Sequence, residues 1–66
     1  MAIAKVIEVT AASPTSFEDA IKAGVAKAAE TLHAIRSAWV SEQSVVVEDG
    51  TVTEFRVTMR VSFLLD

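Results

Sequence analysis

Between Thr51 and Leu65 the stretch TVTEFRVTMRVSFLL alternates strictly. Phe55, Val57, Met59, Val61 and Phe63 fall at one parity, and Glu54, Arg56, Thr58, Arg60 and Ser62 at the other. A period of two sends the first set to one face of a β-strand and the second set to the opposite face. Immediately before it, Asp49–Gly50 is a favoured two-residue hairpin turn, because both positions tolerate positive φ. A strand leaving such a turn needs a partner arriving at it, so the residues from Ser37 onward are predicted to form the other arm. A hairpin with one apolar face must then find something to cover that face.

The cover is a helix. Phe17, Ile21, Val25, Ala28, Leu32 and Ile35 recur at intervals of four or three, one apolar stripe on a predicted helix of about five turns. Lys22, Lys27 and Glu30 fall off the stripe, whereas Gly24 lies within it. A mid-helix glycine costs about 1 kcal/mol against alanine, which points to close packing at that position. The start is marked by Thr15 three residues before Glu18 and Ser16 three before Asp19, each pair spaced for a capping box. Ahead of Pro14, residues 2–11 (AIAKVIEVTA) are rich in β-branched side chains and read as a first strand. The expected fold class is α+β in the order β-α-β-β, with a three-stranded antiparallel sheet and a single domain over residues 1–66.

A chain of 66 residues has room for one thin core, and its apolar load exceeds that core: 52% of residues are hydrophobic and the mean hydropathy is +0.42. With no cysteine there is no disulfide and no thiolate metal site to stabilise a domain this small. Apolar side chains that one subunit cannot cover are covered by others, so an obligate oligomer is expected. A net charge of −3 with only six scattered Lys and Arg argues against nucleic acid as partner. No apolar run approaches the ~20 residues of a membrane span, and no signal-peptide pattern opens the sequence, so the expectation is a cytoplasmic protein.

The sole tryptophan, Trp39, sits in the polar run IRSAWVSEQ. If Glu48 faces Thr51 across the turn and the strands run without a bulge, Trp39 faces Arg60, Ser37 faces Ser62, Ser41 faces Thr58 and Gln43 faces Arg56. Ala38, Val40 and Val46 then share the other face with Val61, Met59 and Thr53. Trp39 therefore belongs to the sheet face turned away from the helix, framed by two arginines, a glutamine and hydroxyls. Three uses fit: a cross-strand cation–π contact with Arg60, an anchor between subunits, or a slot for a flat ring whose polar edge meets Arg56, Gln43 and the hydroxyls.

Taken together, KVIEVT, SPTSFEDAI, IRSAWVSEQ and VEDGTVTEFRVTMRVSFLL resemble the dodecins over nearly the full chain. The resemblance implies a β-α-β-β subunit whose sheet wraps its helix, assembled as a hollow homododecamer that binds and stores a small ligand without catalysis. Flavin-binding members hold FMN or riboflavin between subunits, with a Trp early in the second strand stacked on the ring and a Gln in the third strand on its pyrimidine edge. Those positions are Ser37 and Arg56 here. Trp39 is displaced about 6.5–7 Å along the same face. Losing a stacked Trp forfeits up to about 5 kcal/mol gross, from roughly 200 Å² at about 25 cal/mol per Å². Arg donates only, so it cannot copy glutamine's paired contact to an N–H and a C=O. The pattern looks closer to the dodecin-like subgroup that lacks this Trp and is described as calcium-binding, with flavin binding through Trp39, or a purely structural oligomer, as alternatives.

Calcium takes six to eight oxygens, usually including carboxylates. No EF-hand-type loop is present, and Glu48–Asp49–Gly50 reads as a turn. Glu42 is the candidate metal-binding carboxylate. The regular register places it beside Val57, where an unpaired charge is costly. A bulge at Ser41–Glu42 would turn it outward; otherwise Arg36, a neighbouring subunit, a helix-end amide or a bound cation must answer it. His33 reads as a solvated residue near the helix end. With one His, no Cys and no glycine-rich loop, no nucleophile, base and orienting group converge, and no enzyme is expected.

Overall fold

In a computed structural model, which describes residues 2–65, the order is β1 (Ala4–Ser13), α1 (Phe17–Ala29), β2 (Ile35–Glu48) and β3 (Thr51–Leu64). The strands form one antiparallel sheet in the order β1-β3-β2, with the long alternating strand in the centre. Asp49 and Gly50 take positive φ, 51° and 75°, as a tight hairpin turn demands.

The helix starts where the capping signals place it and ends earlier than its apolar stripe. Ser16 is the N-cap: its Oγ accepts from the Asp19 amide at 3.0 Å. The Asp19 carboxylate does not return to complete a capping box. It accepts instead from the Ser13 hydroxyl at 2.7 Å, and Ser13 Oγ also accepts from the Thr15 amide at 3.0 Å. Ser13 is buried, so this contact ties the end of β1 to the first turn of α1.

At the other end, short-range bonds from Glu30 N to Lys27 O and from Thr31 N to Ala28 O tighten the last turn, and Ala34 reverses the chain with φ 56°. The expected five-turn helix is therefore 13 residues long. Leu32 and Ile35 continued the periodicity because both are half-buried, but Ile35 is covered as the first residue of β2, opposite Phe63. Strand pairing outcompeted a further helical turn. β1 also runs on to Ser13, beyond the expected 2–11, because Ala12 and Ser13 pair with Arg56 and Phe55.

The helix lies on the sheet through its small residues. Ala20, Gly24 and Ala28, four apart, are its buried positions, while Phe17, Ile21 and Val25 flank them and pack on a core of Ala20, Val57 and Met59. Phe17 meets Phe55 edge-to-face with ring centroids 5.1 Å apart. This core is thin. Among the described residues the buried hydrophobics are Ala20, Ala28, Val57, Met59 and Val61 alone, and Val6, Trp39, Val45, Val47 and Val52 are each at least 41% exposed. The subunit measures 52 × 19 × 13 Å, long for its mass. Its accessible surface is 4676 Å², against about 4,100 Å² for a compact monomer of this size.

Candidate functional site

β3 organises the outer face of the sheet. Its outward residues Arg56, Thr58, Arg60 and Ser62 each meet one partner from β1 and one from β2. Four rows result: Ser37, Ser62 and Val6; Trp39, Arg60 and Glu8; Glu42, Thr58 and Thr10; and Ser44, Arg56 and Ala12. The Ser37 and Ser62 hydroxyls are 2.7 Å apart, and those of Thr10 and Thr58 are 3.3 Å apart.

Trp39 lies opposite Arg60 and is 47% exposed. Arg60 has a second neighbour that the sequence did not advertise: its Nε is 3.8 Å from the Glu8 carboxylate on β1. Arg60 thus stands between Trp39 and Glu8 in the ladder and makes its ion pair on the β1 side. Arg56 is engaged in the same way, with Nε 3.1 Å from Glu54 Oε1 on its own strand. Both pairs are solvent-exposed, so each contributes at most about 1 kcal/mol. Their effect on the face is to answer both cations with carboxylates.

Gln43 departs from its expected place. Between Val40 and Glu42 the register shifts by one, leaving Ser41 as a bulged residue whose Oγ donates to Thr58 O at 3.1 Å. Gln43 consequently pairs with Val57 on the helix side, and Ser44 takes the position opposite Arg56. Glu42 moves the other way, to the outer face opposite Thr58. The unbulged register fails here because it would set a carboxylate against the apolar side of the sheet. Val46 likewise pairs with Glu54 and not with Thr53.

The face brings together Ser37, Trp39, Arg56, Arg60 and Glu42, excludes Gln43, and adds Glu8, Thr10 and Thr58. The β1 contributors were hidden because β1 reaches β3 through a helix, and no tight turn sets that register. Alternation in KVIEVT gives Glu8 its parity but not its opposite number.

As a metal centre, this face is incomplete within one chain. Among the described residues no three His, Asp or Glu side chains gather where they could hold an ion. Glu42 with the neighbouring threonine hydroxyls supplies fewer than the six to eight oxygens calcium takes, so the remainder would come from a second subunit or water. Position 37, which the resemblance assigns to a flavin-stacking Trp, carries a hydroxyl that faces the Ser62 hydroxyl. His33 is exposed in the turn after α1. An apolar groove of about 560 Å³ lies elsewhere, between β1 and α1, lined by residues including Ile7, Val9, Ala11, Gly24, Ala28 and Leu32. None of the expected site residues enters it.

Comparison with known proteins agrees with this architecture. The calcium dodecin of Mycobacterium tuberculosis is 36% identical over 63 residues, covering 96% of this chain and 89% of that protein. Its crystal structure, described as that of a calcium-chelating immunodominant antigen with a novel calcium-binding site, superposes with a TM-score of 0.85 at 35% identity, covering 97% of this chain and 91% of that one. Dodecin from Streptomyces davaonensis superposes at 0.94 with 32% identity, over 98% and 96% of the two chains. The dodecin family model matches residues 3–66, and the chain belongs to the dodecin family.

Proposed function

We propose that residues 1–66 form a single-domain subunit of a cytoplasmic, non-catalytic homododecamer that binds and stores calcium at subunit junctions, with flavin binding weak or absent. The observation that carries this reading is the Ser37–Ser62 hydroxyl pair at 2.7 Å. The resemblance to flavin-binding members assigns Ser37 to the position of their stacking Trp and Arg56 to that of their Gln, and the hydroxyl pair at position 37 supports the loss of that stack. The relative named calcium dodecin supports the choice of ion. Glu42, turned outward by the Ser41 bulge, is the carboxylate this chain offers to the cation.

Assembly follows from the same physical argument that makes the subunit thin. About 600 Å² of excess surface, at about 25 cal/mol per Å² for its apolar part, is a cost that only neighbouring copies remove. The groove between β1 and α1 and the valines of the hairpin arm are surfaces for that contact.

A second reading has one observation in its favour. Trp39 shares the face of Ser37 and stands exposed beside Arg60, so it can stack a planar ring displaced by one residue pair. Calorimetric titration with calcium, and separately with riboflavin phosphate, distinguishes the two. Saturable calcium uptake that falls sharply in Glu42→Gln, with no flavin signal, is the expected result. Flavin binding abolished by Trp39→Ala, with no response to calcium, would replace the calcium reading by the flavin one. A purely structural oligomer would respond to neither.

A further inference from the structure

Of the three register shifts between β2 and β3, one falls at Arg36 near the open end, and the other two, nearer the turn, are of opposite sense. Trp39 pairs with Arg60 and Val40 with Met59; from Glu42↔Thr58 to Val46↔Glu54 every pair is offset by one residue; then Val47↔Val52 and Glu48↔Thr51 return to the original register. The extra residue is Ser41 on β2 at one end of the window and Thr53 on β3 at the other. Their effects cancel outside the window. The same two-residue turn and the same Trp39–Arg60 pair are compatible with a window that has no bulges at all.

Two registers are therefore available to residues 42–46 without disturbing anything beyond them, and they present opposite side chains, because a one-residue slip turns every side chain over. In the observed register Glu42 and Ser44 face outward and Gln43 and Val45 face the helix side. In the unbulged one Gln43 would stand outward beside Arg56, and Glu42 would press against Val57.

Each bulge is held by a hydroxyl that reaches across the ladder. Ser41 Oγ donates to Thr58 O at 3.1 Å, and Thr53 Oγ1 donates to Val46 O at 3.3 Å. A bulge interrupts ladder hydrogen bonds, so these two contacts offset part of its cost. The charge of Glu42 acts in the same direction, since the alternative buries a carboxylate on an apolar face.

We infer that Ser41 and Thr53 are paired positioning residues that, together with the charge of Glu42, set which side chain the outer face offers a ligand. This deepens the function proposed above and rests on its assignment of that face. A carboxylate outward suits a hydrated or partly hydrated divalent cation. A carboxamide beside a guanidinium would suit the neutral polar edge of a flat ring, to which it can both donate and accept. The bulge pair thus selects the charge class of the ligand.

The natural chain has no cysteine, which permits a direct test. Ser44→Cys with Arg56→Cys probes the observed register, and Gln43→Cys with Arg56→Cys probes the other. Directly opposed Cα atoms lie within disulfide range, whereas side chains on opposite faces cannot be bridged without backbone movement. Closure within a chain is read on denatured, unreduced protein. The 44–56 pair is expected to close at least about tenfold faster than the 43–56 pair. Adding Ser41→Val, Glu42→Val and Thr53→Val should reverse that order. Equal closure of the two pairs in the otherwise natural chain would overturn the inference, as would an unchanged order in a folded triple variant. Calcium titration of the natural protein is read separately. A protein that takes up no calcium yet closes 44–56 retires the cation reading and leaves the register assignment standing.

Discussion

Gly24 lies directly against Met59: a Cβ at position 24 would stand 2.5 Å from Met59 Cε and 3.0 Å from the Ala11 Cβ. Met59 is fully buried at the middle of the central strand, so the helix approaches the sheet at this point through the residue that has no side chain. Gly24→Ala gains about 1 kcal/mol of helix propensity and incurs about 1–3 kcal/mol of overpacking. A net loss of about 1 kcal/mol is expected for Ala, and a larger one for Val. Urea unfolding at fixed protein concentration measures both. A stabilised Gly24→Val variant would mean that the helix does not rest on Met59.

Ser13 joins β1 to α1 through two hydrogen bonds made in a buried position. Ser13→Ala leaves the Thr15 amide and one Asp19 oxygen without that partner, a loss of about 1–3 kcal/mol. Ser16→Ala removes the N-cap and should cost about 1 kcal/mol. Thermal unfolding of the two variants should therefore rank Ser13→Ala at or below Ser16→Ala.

Val47 and Val52 face each other near the hairpin tip and are 55% and 45% exposed. In the proposed assembly these exposed apolar side chains meet another copy. Val47→Lys with Val52→Lys should shift the protein toward smaller species in sedimentation velocity, while the far-ultraviolet circular dichroism of the subunit persists. An unshifted oligomer would assign assembly to other surfaces, with the groove beside Gly24 the next to test.

Ser37→Trp with Arg56→Gln introduces the two residue types that flavin-binding dodecins carry, at the positions the resemblance assigns to flavin contact. Riboflavin fluorescence should then be quenched on mixing, with affinity at least about a hundredfold above the natural protein, as a fraction of the roughly 5 kcal/mol gross stack would give. No gain in the assembled variant would indicate that Ser37 and Arg56 are not what separates this chain from flavin binders.

Local signals carried most of the fold. The Asp49–Gly50 turn, the alternation of β3 and the Ser16 cap each depend on residues a few positions apart, and each forms as expected. The helix ends before its apolar stripe does: Leu32 still lines the groove beside α1 and its amide bonds Ala28 O, whereas Ile35 is half-buried as the first residue of β2. On the outer face, Trp39 and Arg60 stand opposed as the turn register predicts, because the shifts at Thr53 and Ser41 cancel before that pair is reached. Gln43 does not stand opposite Arg56, because it lies inside the offset window that the Ser41 bulge closes. The sequence marked that bulge only through the awkwardness of Glu42. Glu8 remained unplaced until β1 was seen paired with β3, a long-range register that no local pattern encodes.

Native mass spectrometry of the whole protein, alone and then with calcium or riboflavin phosphate, addresses the central claim most directly. A mass near that of a dodecamer of 7.1 kDa subunits, gaining calcium and ignoring flavin, is the expected result. A monomer or dimer, or a dodecamer that gains flavin and no calcium, would contradict the calcium-storing shell.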